Sequence, residues 1–423
     1  MSQPTDPTAD FPWTPIAQLR QRTTTPAGVD FMKCLTDIVI ILLSTVAIAQ
    51  AAGCDEFVTL VKPAKDVYMK QHRIYPIPES AKALALRSMP RLWVHPQSWQ
   101  PISFEDYLAR ARVVRNSDDR VVEQHPAWRD LADLSDEEQC RLHLDAPQVP
   151  AANPAPVYIQ VFWDEAPGNP AEHWTYIKYN LVFDWSGLPA QISWLGRAGA
   201  ILTGGHPDRW HRLDIHVAAI MAFDGAQRLR LLTLAQHNYQ QTYLPGLDFP
   251  SAAGPRLAAA FHSNELYLDG GQTAPVYHRV VPFFRDVAYL IDPARKPTLW
   301  ARDITYGRNA GGREVPLRPV FIEPGYPLAN FAGLLAPPRR FLDIYIGRDG
   351  PPGYNYYALP ADIPLVNFAA MGFWRSGDKD LLHQLEPLIT GRDPLYGADW
   401  QNITTLMRRR LADALNDYAA SLP

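Results

Sequence analysis

VYIQVFW (Val157–Trp163) and YIKYNLVFDW (Tyr176–Trp185) decide the reading of the fold. Both are short, rich in β-branched and aromatic residues, and bounded by Pro, Gly, Asn and Asp, which is the signature of strands separated by turns. The same texture continues in LDIHVAAIMAF (Leu213–Phe223), LRLLTLAQH (Leu229–His237), RLAAAFHS (Arg256–Ser263) and RFLDIYIG (Arg340–Gly347). No amphipathic helical pattern separates these runs, so their spacing favours an antiparallel β-sandwich over βαβ units. The chain is therefore expected to be mainly β with flanking helices, an α+β arrangement whose body spans residues 151–350.

Helical signals lie on either side of that body. Ser103 and Asp106 form a capping box opening ISFEDYLARARVV, and Ser135 with Glu138 opens EEQCRLHL, so residues 54–150 read as a helical connecting region. APQVPAANPAP (Ala146–Pro156) cannot hold a helix and marks a boundary. Residues 351–423 read as a C-terminal loop and helices, with Asp380–Ile389 stopped by Gly391, and Asn402–Ala420 placing Ile403, Leu406, Leu411, Leu415 and Tyr418 on one face.

At 423 residues the chain can bury a sizeable core. A net charge of −4, without a basic stripe, gives no reason to expect nucleic acid. Its 40 prolines are close to twice the usual share of about 5%, so helices should be short and connections long.

LTDIVIILLSTVAIAQAAG (Leu35–Gly53) places that body. Lys33 precedes the apolar run and Asp55-Glu56 follows it, the positive-inside pattern of a segment whose C-terminal side is exported. Three fates stay open. About 19 residues suffice for an uncleaved transmembrane anchor. Ala49-Gln50-Ala51 offers a small-x-small cleavage site for a signal peptide. Ala51-Ala52-Gly53-Cys54 resembles a lipobox, which would acylate Cys54 as a lipoprotein. Residues 1–34 then form a cytoplasmic tail or leader, and the body lies in the periplasm or outside the cell, attached to the membrane through its N-terminal segment. Cys54 is thus a lipidation site or, with Cys140, a disulfide partner in an oxidising compartment.

GGHPDRWHRLDIHV (Gly204–Val217) has the densest chemistry. In a strand, Asp214 and His216 point to one face and Leu213, Ile215 and Val217 to the other. A carboxylate beside an imidazole suits a metal-ligand pair or an oriented general base. His206 from the preceding turn, with His237 and His262 from two later strands, could complete a site for one divalent metal ion. The competing reading is a buried Asp–His network that only satisfies hydrogen bonds. Gly-x-Ser-x-Gly, P-loop and dinucleotide motifs are absent. A second candidate surface is aromatic: Trp163, Trp174, Trp185 and Trp194 fall within one short span, and exposed aromatics outside the cell bind glycans or sit at membrane interfaces.

Four patches, MPRLWVHPQSWQPISFEDYL (Met89–Leu108), GGHPDRWHRLDIHV, LTLAQHNYQQTYLP (Leu232–Pro245) and AAFHSNELYLDGG (Ala259–Gly271), together resemble the Vps62-related β-sandwich proteins. That resemblance implies a sandwich with a His-x-Gly-Asp-Trp-Glu type core. His206, Asp208 and Trp210 match it, and His211 stands where the acidic residue is expected. The necrosis-inducing toxin family carries a similar motif with a divalent cation, and the missing acidic ligand argues against the same cation site here.

These features lead to three functional expectations. The first is a membrane-tethered exported binding or accessory protein, a subunit of a membrane or envelope complex with a protein partner or glycan. The second is a metal-dependent hydrolase or lyase using the Asp/His strand, and the third a membrane-acting toxin-like protein.

Overall fold

The computed structural model describes residues 76–348, apart from segments 127–140, 277–300 and 327–334 and shorter breaks that include 202–205, 216 and 237–238. The expected segments 1–34 and 35–53, Cys54 and Cys140, the Ser135 capping box and the C-terminal helices lie outside the described residues. No helix among the described residues is long and apolar enough to cross a membrane.

The described chain is mostly strand. It opens with α1 (Glu79–Arg87), β1 (Arg91–Val94), α2 (Phe104–Arg110), β2 (Arg112–Arg115), β3 (Val121–Gln124) and β4 (Leu142–Asp145). The long hairpin β5 (Ala155–Ala166) and β6 (Asn169–Asn180) follows, then β7 (Phe183–Ser186), β8 (Gln191–Ile192), β9 (His211–Asp214) and β10 (Ala218–Phe223). Next come β11 (Leu229–Gln236), β12 (Tyr239–Tyr243), β13 (Arg256–Ala259), β14 (Leu266–Leu268), β15 (Pro275–Val276) and β16 (Ala301–Arg302). β17 (Arg313–Val315), β18 (Leu317–Phe321), β19 (Pro338–Phe341) and β20 (Ile344–Arg348) complete it.

Two sheets dominate. A six-stranded sheet runs β12-β11-β10-β6-β5-β18, and a four-stranded one runs β14-β13-β1-β17. Leu92, Val94, Leu257, Leu266 and Leu268 from the smaller sheet share one apolar cluster with Val157, Ile159, Val161, Ile177, Tyr179, Met221 and Leu232 from the larger. α1 adds Ala81, Leu84 and Ala85 to it. Each such aliphatic side chain withdrawn from water contributes about 1.5–3 kcal/mol, which holds the two layers together.

Several sequence expectations change here. Pairing is mixed: β1 runs parallel to β13 and β18 parallel to β5, because both partners lie far apart in the chain and need no tight turn. The central strands are buried on both faces; all six residues of β10 are buried, so simple in–out alternation does not hold. The Ser103 box does cap a helix, accepting from the Asp106 amide at 3.1 Å, but that helix ends at Arg110. Val113 and Val114 leave it for β2, where β-branched side chains pack better. The Leu142–Leu144 end of the second expected helix is likewise strand β4, paired with β2. The proline-rich stretch Ala146–Pro156 is packed connection as far as Pro154 and enters β5 at Ala155: Val149 is buried, and the carbonyls of Ala146 and Pro147 accept from Arg212.

Candidate functional site

LDIHVAAIMAF is interrupted. β9 ends at Asp214 and β10 begins at Ala218, with Leu213 at a left-handed φ of 51°. That residue sets the direction of the backbone leading into Asp214. Asp214 is buried and accepts from Asn264 Nδ2 at 3.1 Å. His216 and His237 lie outside the described residues.

His206 and His262 come together elsewhere, at an open cleft of about 560 Å³ lined by Gln97, Ser98, Trp99, His206, Asp208, Arg209 and His262. Asp208 sits between the two imidazoles. Its Oδ1 lies 3.8 Å from His262 Nε2 and its Oδ2 3.9 Å from His206 Nδ1, too long for direct hydrogen bonds. His206 Nδ1 instead accepts from the Asp208 amide at 3.2 Å, so a neutral ring carries its proton on Nε2.

Each wall is fixed by a different element. The loop after β1 carries Trp99, whose Nε1 donates to the Asp208 carbonyl at 2.8 Å. The Arg209 guanidinium lies 5.4 Å from the Trp99 ring and 5.9 Å from the Trp185 ring, and the two indoles are 6.5 Å apart. His262 follows β13 in a turn at a φ of 68°, a conformation that costs a non-glycine residue free energy. Two hydrogen bonds hold it there: its amide donates to Ser98 Oγ at 3.1 Å, and its carbonyl accepts from the Gly187 amide at 2.6 Å. Its ring packs on Phe261 at 3.9 Å. Burial pushes the His262 imidazole below its ordinary value; the Asp208 carboxylate pulls the other way, and His95 adds to the depression.

Behind the cleft lies a buried polar scaffold. Ser263 and Tyr267 both donate to Asp303, at 2.6 and 2.7 Å, and Asn264 donates to the Trp185 carbonyl at 2.9 Å. Arg212 pairs with Asp184 at 3.0 Å and packs 4.9 Å from the Trp185 ring. Burial raises the Asp184 carboxyl, with Arg212 opposing. This network orients the walls and does not reach the open space.

The four tryptophans expected to form a surface separate. Trp163 and Trp194 are exposed, Trp174 is buried and donates to Glu172 at 2.8 Å, and Trp185 is half-buried beside the cleft. Sequence reasoning missed Trp99, Gln97 and Arg209. The available signal was HPQSWQ (His95–Gln100), a polar, proline-started turn directly after an apolar strand. No three histidine, cysteine, aspartate or glutamate side chains among the described residues are grouped as a metal ion requires. No family model, curated protein or solved structure matches the chain.

Proposed function

We propose that the chain is a membrane-tethered exported binding protein, a β-sandwich whose cleft holds a glycan presented outside the cytoplasm. One observation carries this reading: an indole, Trp99, lies in a single open cleft with the hydrogen-bonding groups of Gln97, Asp208, Arg209, His206 and His262. A sugar ring has an apolar C–H face and a rim of hydroxyls. It needs an aromatic surface together with mixed donors and acceptors, and both are present within a volume suited to a small ligand. The apolar segment Leu35–Gly53, with its basic-before, acidic-after flanks, supports the tether and the export. Fractionation of expressing cells with protease protection of the body tests the location. An oligosaccharide array followed by calorimetry tests the ligand, and an array without any hit removes the glycan reading.

A second reading is favoured by one feature, the placement of an imidazole opposite each oxygen of Asp208. That arrangement suits a hydrolase or lyase in which His262 acts as a base beside the Asp208 carboxylate, which favours its protonated form; in a metal-dependent version, further ligands would have to come from outside the described residues. Metal analysis of protein purified without chelator, together with a His262→Gln variant, separates it from simple binding.

A further inference from the structure

Two arginines lie against the indole of Trp185, Arg209 at 5.9 Å and Arg212 at 4.9 Å, and they are used differently. Arg212 is buried, pairs with Asp184 at 3.0 Å, and donates to the carbonyls of Ala146 and Pro147. Arg209 is exposed and lines the open cleft. Among the described residues its guanidinium meets no carboxylate within ion-pair distance and donates to no acceptor.

An unpaired surface arginine is ordinarily a solvated charge with free rotamers. Arg209 is held. Its amide donates to the His206 carbonyl at 2.9 Å, and the Trp210 amide that follows donates to the Ser186 carbonyl at 2.7 Å, so the backbone is pinned on both sides. The guanidinium also lies 5.4 Å from the Trp99 ring, which is tilted by 37° to that of Trp185. Stacking on indole uses the flat face of a guanidinium and leaves the N–H groups around its edge for an acceptor. The side chain is thus ordered before a ligand arrives, which lowers the entropic cost of binding.

Those edge donors match a planar carboxylate, which accepts two parallel N–H bonds from one guanidinium. The neighbouring groups define the rest of the ligand. Trp99 offers an apolar face, and the ionised Asp208, with its oxygens turned to His206 and His262 at 3.9 and 3.8 Å, offers only acceptors. A second anion beside Asp208 is repelled, so an acidic group belongs on the Arg209 side and hydroxyl donors on the Asp208 side. Asp184, the other carboxylate that feels Arg209, is buried and already held by Arg212. We infer that the cleft takes an acidic glycan of the uronic-acid class, with Arg209 reading the sugar carboxylate; the assignment rests on the glycan reading of the cleft and narrows it. A uronic acid has the required polarity, with its carboxylate on one exocyclic carbon and hydroxyls around the remaining rim.

Calorimetry of the full chain with oligogalacturonate and oligoglucuronate, each as the acid and as its methyl ester, tests it at low salt. Esterification removes the charge and keeps the ring. One acid should bind about tenfold to a hundredfold more tightly than its ester. That difference should shrink as sodium chloride is raised. In Arg209→Gln acid and ester should bind alike, and Arg209→Lys should keep only part of the preference, since an ammonium neither forks nor stacks. Where Arg209→Gln fails to fold, the acid-to-ester ratio in Arg209→Lys is read in its place. Equal binding of acid and ester by the native protein, or binding of neutral glycans alone, overturns the inference and leaves the glycan reading standing. An undiminished acid preference in the Arg209 variants also overturns it. Absence of binding by acids, esters and neutral glycans together removes the glycan reading and the inference with it.

Discussion

The indole Nε1 of Trp99 donates to the backbone carbonyl of Asp208 at 2.8 Å, so the aromatic wall of the cleft and the turn bearing its carboxylate are one mechanical unit. Trp99→Phe keeps an aromatic face but removes that donor. The loss of a single hydrogen bond should lower stability by about 0.5–1.5 kcal/mol in urea titrations. It should also weaken glycan affinity about tenfold by calorimetry, because the Asp208 turn is no longer held against the ring. Trp99→Ala should abolish detectable binding.

His262 offers a proton-linked test. Its folded value is depressed, so between that value and the unfolded one the unfolded chain binds the proton more readily. Its contribution is complete above the unfolded value and is lost as pH falls through the folded one. Imidazole NMR should show His262 titrating below an ordinary histidine. Asp208→Asn should push it lower still, since the carboxylate is the group that favours the charged form. An unchanged titration in that variant would mean that Asp208 does not face the ring in solution.

Glu105 behaves as the acidic counterpart. Burial alone would raise its carboxyl, but hydrogen bonds from Tyr326, its own backbone, Tyr158 and Ser103 bring it below the ordinary value. The stability it contributes is present above the unfolded value and disappears as pH falls through the folded one. Glu105→Gln should cost about 1 kcal/mol at neutral pH, the charge being partly open to solvent, and less at an acid pH where the folded carboxyl is protonated. Chemical denaturation at the two pH values measures the difference.

The buried pair of Arg212 and Asp184 should be the most sensitive position in the body. Arg212→Met leaves the Asp184 carboxylate buried without its cation and strips the Ala146 and Pro147 carbonyls of their donor. A loss of about 3–5 kcal/mol is expected. The double variant Arg212→Met, Asp184→Leu should recover a good part of it, since no charge then remains in the interior. Equal losses in the single and double variants would assign the effect to packing against Trp185.

Val157–Trp163 is legible as strand because β-branched and aromatic residues at turn-bounded spacing leave few other options, whereas Tyr176–Trp185 breaks at Leu181-Val182 into β6 and β7 of different sheets. Strand partners were less legible. Arg91 meets Arg256, and Leu317 meets Ala155, through parallel pairings that leave no trace in local periodicity. The site divides similarly. His206, Asp208 and His262 stood out because imidazoles and carboxylates are scarce and chemically marked. Trp99 did not, since an aromatic after a strand is usually core. The strand carrying Asp214 ends at that residue, and His216 lies outside the described residues, so its pairing with Asp214 stays an expectation of the sequence.

The parallel pairing of β1 with β13 also sets an order of events during synthesis. Arg91–Val94 leaves the ribosome early but has no strand to pair with until Arg256–Ala259 has emerged, and its other neighbour, Arg313–Val315, comes later still. Loop closure over such a distance is slow, so the small sheet is completed only after the local antiparallel pairs β5–β6 and β10–β11 have been made. The strand at the centre of the small sheet therefore acts as a timer, delaying completion of that layer until β13 and then β17 have been made.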